Sequence, residues 1–523
     1  MTHPILSITS FDAAPFDDVL VALRNNPDLW VELRLDHLAS EDEAAQAATI
    51  AKQFGPRCLV TCRLHAEGGA AAMPHSERIQ RLLLPAMVGA QWIDWELAAE
   101  PFLDDLQEAL GSVIEHPTRL ILSSHDFERC PPAEVLHNRI AAMWVMGATV
   151  AKIAVTPKTA AEALMLLRVQ KEAAAEAPEG RSALVLGMGE VGRITRLAAP
   201  LVNAWGTFVA WNGQATSAPG QVGWQEALNL YRLHQVQPGW PLLGVIGHPI
   251  SHSLSPKMHA NFYRALGINA LYIPIDVPEN PAEFVTGLRD LDIGLKGLSV
   301  TVPHKLDVLK ASGAIDPLAQ SIGAANTLAV ESGPGGKSIF HAFNTDAYGL
   351  CEAVKDGAAT VLPKTGKRIA VVLGAGGAGR GAVAGLKNDG WDVYILNRTR
   401  AKAEALAKEL GVQVTGEAAL AELKPHLIVN STSAGMAPQE AETPLDAKFL
   451  PPHCVIFDMV YKPAQTRFIR EARAKGLLAL EGWRMLVHQG IKQHQLWFGG
   501  RQTARELFDI ACGPADNPLF PPR

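Results

Sequence analysis

Cysteine is scarce in this chain. Six residues in 523 (Cys58, Cys62, Cys130, Cys351, Cys454, Cys512) are scattered, and only Cys58 and Cys62 stand close together. That is too few for a disulfide scaffold, and no metal-ligand spacing appears, so buried reduced thiols are expected. No run of about 18 uninterrupted apolar residues occurs, which excludes a membrane-spanning helix. An excess of positive charge is missing too: 47 Lys and Arg stand against 53 Asp and Glu, a net charge of −6. Nothing there calls for nucleic acid or an anionic membrane as partner. The N-terminus lacks a basic n-region, a long apolar h-region and a Ser/Arg-rich transit stretch; Ile5 to Thr9 already reads as a strand. The expectation is a soluble, cytoplasmic protein without short-period repeats. Nothing in the sequence sets its oligomeric state.

What is present is a globular balance, 48% hydrophobic against 19% charged, over a length that suggests two to four domains. The first part alternates short apolar runs (PILSIT, WVELRLD, CLVTCR, WIDWEL, RLILSSHDF, TVAKIAV, SALVLGMG, TFVAW) with Ala/Leu/Glu-rich stretches of helical period. Eight strands separated by helices fit a (β/α)₈ TIM barrel over residues 1–235, though two doubly wound domains would give a similar count. A Pro/Gly-bearing linker follows at 234–240, HQVQPGW. Then βα units resume at 241 and run to about Asp346. A fresh strand–glycine turn–helix unit opens at 367–386, KRIAVVLGAGGAGRGAVAGL, in the order a dinucleotide fold requires.

In a parallel barrel, chemistry gathers at the C-terminal ends of the strands. Glu32 and Arg34 lie two apart near the end of strand two and so share a face. Arg63 ends strand three and Glu67 follows in its loop. Asp94 and Glu96 end strand four, His125 ends strand five, and Lys152 sits inside the apolar strand ATVAKIAV. A lysine buried there is either paired to a carboxylate in a layered core or kept as a nucleophile. Burial and the cations Arg63 and Arg196 both favour the neutral amine, which can attack a ketone. A histidine near its working pKa can then remove the acidified proton and protonate a leaving hydroxyl.

The segments ELRLD, TCR-x₃-EGG, SSHDF, AKIA, GEVGRITR and SAPGQ, in this order, resemble the type I 3-dehydroquinate dehydratases over residues 3–235. The resemblance implies that Lys152 forms a Schiff base with the substrate ketone, with His125 as general acid/base and Glu67 orienting it. It implies Arg196 as the carboxylate binder, and Glu32, Arg34, Arg63, Ser217 and Gln221 as ligands of the ring hydroxyls. Thr195 replaces the usual serine before the arginine, with little effect expected. Asp94 and Glu96 are assigned a structural role.

The second half opens with GVIGHPISHSLSPKMH, where Ser253 and Ser255 stand in a Pro-bounded loop that can present hydroxyls to a carboxylate. GLSVTVPHK supplies Thr301 and Lys305, IGAANT supplies Asn326, and FNTDAYG supplies Asn344 and Asp346. Together these resemble shikimate dehydrogenase, from 241 nearly to the C-terminus. The resemblance implies a two-part α/β enzyme: a substrate domain (241–346), a Rossmann-like NADP domain (347–470) and C-terminal helices (471–523) returning to the substrate domain. It implies Lys305 and Asp346 as the catalytic pair, and Ser253, Ser255, Thr301, Asn326, Tyr461 and Gln489 as shikimate ligands. Ser299 stands where the family often has Asn, which leaves its contribution to ring binding open.

Gly374, Gly376, Gly377 and Gly379 lie between a strand and a helix, the setting for a pyrophosphate at a helix N-terminus. The next strand ends in Asn397, Arg398, Thr399 and Arg400, without the carboxylate an NAD site carries, so NADP is the expected cofactor. The joint reading is dehydration of 3-dehydroquinate followed by NADPH-dependent reduction of 3-dehydroshikimate to shikimate. Two other readings exist. A catabolic quinate/shikimate dehydrogenase would prefer an acidic residue near 397. A non-catalytic metabolite sensor would be free to lose Lys152, His125, Lys305 and Asp346. Each motif set is complete on its own side of the linker, so the two halves are expected to fold and act separately.

Overall fold

The computed structural model describes residues 2–9, 16–70, 72–112, 118–211, 218–500, 502–513 and 519–520. Its first part alternates strand and helix as the apolar runs predict: β1 (His3–Ile8), α1 (Phe16–Asn25), β2 (Trp30–Arg34), α2 (Glu41–Phe54), β3 (Cys58–Thr61), α3 (His75–Val88), β4 (Trp92–Glu96), α4 (Leu103–Gly111), β5 (Arg119–Asp126), α5 (Ala133–Val145), β6 (Val150–Val155), α6 (Ala160–Glu176), β7 (Ser182–Gly187), α7 (Gly189–Leu197) and β8 (Gly206–Ala210). The strands are parallel, in the order β7-β6-β5-β4-β3-β2-β1-β8. Between β7 and β8 the Trp205 N–H donates to Ala183 O (3.1 Å being the matching His3 N–H to Trp205 O bond on the other side of the same residue), so the ring is nearly closed. This is the (β/α)₈ barrel, not a pair of doubly wound domains.

Aromatic side chains plug its N-terminal end. His3 stacks on Trp30 at 4.1 Å, and Trp30, Trp92 and Trp205 meet edge-on or tilted at 4.8–5.5 Å. These residues begin or precede their strands, so apolar packing closes that mouth and leaves the C-terminal ends for polar groups.

The chain continues through β9 (Leu242–Gly247), α8 (Ser255–Leu266), β10 (Leu271–Asp276), α9 (Pro281–Asp290), β11 (Leu295–Val300), β12 (Ser312–Ile315), α10 (Pro317–Ile322), β13 (Thr327–Ser332), β14 (Ser338–Phe343) and α11 (Thr345–Ala358). Next come β15 (Ile369–Leu373), α12 (Gly377–Asn388), β16 (Asp392–Leu396), α13 (Arg400–Leu410), β17 (Gln413–Val414), α14 (Leu420–Leu423), β18 (Leu427–Asn430), β19 (Val455–Asp458), α15 (Arg467–Ala474), β20 (Ala479–Leu480), α16 (Trp483–Phe498) and α17 (Ala504–Cys512). The last sheet is parallel, in the order β17-β16-β15-β18-β19-β20, with the glycine turn leaving its central strand β15. That order reverses at β15/β18, where a doubly wound sheet binds its ligand.

Two compact units result: residues 1–253 with 269–295, and residues 254–268 with 296–523. The seam does not fall at the 234–240 linker. Within the first unit, α6 packs on α9 and α7 on β10. Lys171 Nζ donates to Leu291 O (2.8 Å) and Asp292 O (2.9 Å) at the end of α9, and Glu279 accepts from the Ala160 N–H (3.0 Å). Within the second unit, α16 and α17 pack on α8, and α16 lies along α11.

Candidate active sites

One cavity at the C-terminal mouth of the barrel is lined by Glu32, Arg34, Arg63, Glu67, His125, Lys152, Arg196 and Gln221. Eight strand-end and loop residues singled out in the sequence thus converge on one space. Ser217 lies outside the described residues.

Register explains the convergence. Lys152 on β6 lies opposite Ser123 on β5, and Ser123 lies opposite Glu96 on β4, so alternate residues stack in one inward layer. Lys152 is 3% exposed; its Nζ donates to Asp94 Oδ2 at 2.7 Å and stands 4.1 Å from the centre of the Phe208 ring. Burial lowers its pKa; Asp94 opposes that, and Arg63 reinforces it. Asp94, by contrast, is pushed up by burial but held well below the usual carboxylate range by Arg63 and Lys152.

His125 and Glu67 form the acid–base pair. Glu67 Oε2 lies 2.9 Å from His125 Nδ1 and also accepts the His125 backbone N–H at 2.9 Å. With the imidazole proton on Nδ1, Nε2 keeps its lone pair for a substrate proton. Burial, then Arg63 and Lys152, drive the His125 pKa well down, so the resting ring is neutral. Burial raises Glu67 to about 7.

Arg196 is the telling group. It is 2% exposed, Nε finds no hydrogen-bond partner, and no carboxylate pairs with the guanidinium among the described residues. Burial, and then Arg193, lower its pKa to about 10. A buried cation without a protein counter-charge on the wall of a cavity suits an anionic ligand.

The other charges are committed to one another. Arg34 makes a two-bond contact with Asp36 (2.9 and 2.8 Å) and donates to Gly68 O (3.2 Å). Asp36 also accepts the N–H groups of Arg63 (3.2 Å) and Ala70 (3.0 Å), so it pins the loop that carries Glu67. Glu32 accepts from Ser7 (2.5 Å) and Thr61 (2.8 Å). Glu96 is structural as expected, held between Arg63 (3.1 Å) and the fully buried Arg78. Asp94 is held by Arg63 and Ser123 and pairs with Lys152 as well, the carboxylate partner that a buried lysine in a layered core calls for. Asp36 and Ser123 are site residues that the sequence reading does not name, and Asp94 is named there only in a structural role. Their signal lay in ELRLD, WIDWEL and SSHDF, at alternate positions beside residues already chosen. Thr195 bridges the Gly192 O and Gly187 N–H, at 2.8 and 2.7 Å, as a serine would.

In the second unit, Lys305 Nζ donates to Asp346 Oδ2 at 2.5 Å. Asp346 occupies the first turn of α11, whose N-cap Asn344 accepts from the Ala347 N–H at 3.2 Å. Both members of the pair are partly open, 32% and 23% exposed at the side chain. Tyr461 is near enough for the Lys305 charge to act on its phenol, which burial raises. Thr301 is half-buried beyond β11, and Ser255 is buried at the start of α8. Ser253 belongs to the first unit, where its N–H donates to Ile250 O at 3.1 Å.

Asn326 is more committed than a free ligand would be. Its Oδ1 accepts from the Thr345 N–H (2.7 Å) and two threonine hydroxyls, and its Nδ2 donates to Thr345 Oγ1 (3.0 Å) and Gln489 Oε1 (3.4 Å). Ser299 joins the same buried layer, donating to Gln493 Oε1 at 2.9 Å, while Gln493 donates to Thr327 Oγ1 at 3.0 Å. A short hydroxyl at 299 therefore ties β11 to α16.

The glycine turn fits a dinucleotide. Gly374 has φ +114°, and a side chain on Gly379 would start 2.4 Å from Gly374 O, so only glycine lets α12 approach β15. Gly376 and Gly377 instead face open space, and no side chain caps the helix there. At the end of β16, Asn397 donates to Thr399 O (2.9 Å). Arg400 is committed to Glu404 (2.8 Å), whereas Arg398 is exposed and makes no ion pair among the described residues. No carboxylate stands at that strand end.

A buried amine beside an acid–base pair serves carbonyl chemistry, and an open glycine turn serves hydride chemistry. The fold and sites therefore define a two-site enzyme, a barrel lyase joined to a dinucleotide-dependent dehydrogenase. Family models agree: type I 3-dehydroquinase matches residues 6–238, the shikimate dehydrogenase substrate binding domain 245–328, and shikimate / quinate 5-dehydrogenase 356–437. The chloroplastic bifunctional 3-dehydroquinate dehydratase/shikimate dehydrogenase of Arabidopsis thaliana is 32% identical over 91% of this chain and 79% of its own. A shikimate dehydrogenase (NADP(+)) of Ignicoccus hospitalis is 38% identical over 51% of this chain and 97% of its own. A solved shikimate 5-dehydrogenase of Thermus thermophilus, in complex with NADP(H) and shikimate, is 37% identical over 52% of this chain and 98% of that one, with a TM-score of 0.46. The chain belongs to the family of bifunctional 3-dehydroquinate dehydratase/shikimate dehydrogenases, which join a type I dehydratase to an NADP-dependent dehydrogenase.

No helix among the described residues is long and apolar enough to cross a membrane, and no group of three His, Cys, Asp or Glu side chains there is placed to hold a metal ion.

Proposed function

We propose that the barrel cavity dehydrates 3-dehydroquinate through a Schiff base on Lys152. The observation that carries this is a buried amine, lowered in pKa, sharing one cavity with a His–Glu pair and a buried guanidinium that has no carboxylate partner among the described residues. Arg196 takes the substrate carboxylate, and Glu32, Arg34, Arg63 and Gln221 surround the ring; Ser217, outside the described residues, is a further ring ligand by the family resemblance alone. The neutral amine adds to the ketone; the hydroxyl of the resulting carbinolamine takes up the proton given up when the Lys152 ammonium was neutralised and leaves as water, so that the nitrogen keeps its remaining hydrogen as a protonated iminium. That cation acidifies the neighbouring C–H, and His125 Nε2 removes the proton. Glu67 holds the imidazolium that forms. The proton then leaves with the hydroxyl β to the former ketone, and hydrolysis frees the amine and 3-dehydroshikimate.

The second site reduces that product to shikimate. NADPH, when bound, supplies the hydride. Lys305 hands a proton to the carbonyl oxygen as it becomes an alcohol, and Asp346 keeps the ammonium charged and aimed. Within the second unit, Ser255, Thr301, Asn326, Tyr461 and Gln489 form the ring site, with Asn326 and Gln489 acting through the buried network they share. Gly374, Gly376, Gly377 and Gly379 admit the pyrophosphate, and Asn397, Arg398 and Thr399 take the adenosine end, with Arg398 on the 2′-phosphate. The cytoplasm is the proposed location.

Two measurements test this reading. Borohydride added with 3-dehydroquinate is expected to leave a reduced adduct on Lys152 by peptide mass spectrometry; turnover without an adduct would remove the Schiff base. Purified protein given 3-dehydroquinate and NADPH is expected to produce shikimate.

A further inference from the structure

Asp94 is placed unlike any other carboxylate in the barrel. It is fully buried, faces both nitrogens of the Arg63 fork (3.0 and 3.1 Å), accepts the Ser123 hydroxyl at 2.5 Å, and still offers Oδ2 to Lys152 Nζ at 2.7 Å. The charged and titratable groups around that nitrogen are Asp94 on β4, Arg63 beyond β3, Glu32 on β2 and His125 on β5. Among the described residues, Asp94 is the one acid that pairs with the amine. Glu96 is spent on Arg63 and Arg78, and Glu67 on His125.

A carboxylate beside the nucleophile is at first sight misplaced, because it favours the ammonium that cannot attack. Its use comes one step later. Proton abstraction requires the nitrogen to be a protonated iminium, C=N(H)⁺; the neutral imine is a far weaker electron sink. Burial together with Arg63 pushes the Schiff base toward the imine, releasing H⁺, and an anion within hydrogen-bond reach opposes that loss. We propose that Asp94 is the counter-ion of the Lys152 iminium, keeping it protonated while His125 removes the C–H proton. Ser123 and the Arg63 fork hold Asp94 ionised and fix the oxygen that faces the nitrogen. This role rests on the Schiff-base reading above and adds a catalytic residue to it.

The test is the pH dependence of dehydratase kcat in Asp94→Asn, with Asp94→Glu as the conservative control. An opposite charge at this range moves a pKa by about 1–3 units. The alkaline limb of kcat in D94N is therefore expected to move down by about one unit or more, with kcat near pH 8 falling about 10- to 100-fold. D94E is expected to keep the wild-type limb, even if slower. A D94N limb at the wild-type position, whether kcat is unchanged or uniformly reduced, overturns the proposal. If D94N does not fold, Ser123→Ala serves instead: the same downward shift, smaller, is expected, and an unmoved limb overturns the proposal. Borohydride trapping on the wild-type enzyme keeps the two readings apart. No adduct on Lys152 sinks the Schiff base itself, whereas an adduct with an unmoved D94N limb sinks only the counter-ion.

Discussion

Single side chains in this protein differ chiefly in whether their charge is already answered. Arg34, Arg63 and Arg78 are held by protein carboxylates, but Arg196 has no carboxylate partner among the described residues. Arg196→Ala is therefore expected to raise KM for 3-dehydroquinate and lower kcat/KM about 10- to 100-fold, the worth of a charge-assisted hydrogen bond. Because an unpaired buried cation is removed, Tm without ligand is expected not to fall. Steady-state kinetics with a thermal melt checks both halves of the claim. Arg398 is an exposed counterpart: Arg398→Ala is expected to narrow the preference for NADP over NAD by about tenfold or more, read as the ratio of the two kcat/KM values. The residue types and their order were legible in the sequence here. Which arginine lacked a partner was not, because pairing depends on side chains that strands far apart in sequence bring together.

At the scale of elements, two packing contacts make separate predictions. The turn from β15 to α12 needs Gly379 for close approach, while Gly376 faces open space. Gly379→Ala is expected to lower Tm and cofactor affinity together. Gly376→Ala is expected to leave Tm near wild type and to raise KM for NADPH, since a new methyl enters only the space beside the helix N-terminus. Helices α8 and α16 carry the buried His259 and His494, lowered to about 3 and about 4, mainly by burial. A histidine lowered in the native state is protonated more readily in the unfolded chain. Its contribution is intact above about pH 6.5 and is lost as pH falls toward the native value. For His494 that loss is about 2 kcal/mol at pH 5. His494→Phe, set among Phe262 and Phe498, is expected to flatten the drop in Tm between pH 7 and pH 5; an unchanged slope would exclude His494 as its source. The helices themselves follow from periodicity in the sequence. The apolar setting of these imidazoles does not, since residues 259 and 494 meet only in the folded chain.

For the whole molecule, the chain's compact units cut across the expected linker. The sequence motifs separate cleanly at 234–240, but α6 and α7 of the barrel bury side chains against α9 and β10, with Leu164 against Gly287 and Lys171 on the end of α9. A piece ending at residue 235 is therefore expected to keep a trappable Lys152 but to melt about 2–8 °C below the barrel transition of the intact chain, as a loss of about one to two kcal/mol implies for a domain of this size. Equal melting temperatures would show that this interface contributes nothing.

The sequence by itself determined the alternation of strand and helix, the polar residues at the strand ends, the glycine turn and the missing carboxylate after β16. These are local: period, spacing and residue type carry them within a few positions. Only the tertiary structure decided that the eight strands form one ring, that Asp94 meets Lys152 across the barrel, that Ser299 serves a buried network, and that the barrel leans on α9 and β10. Those outcomes depend on register between strands and on packing between distant segments. Neither leaves a local mark, because either residue of a contact would look the same in sequence with any other partner.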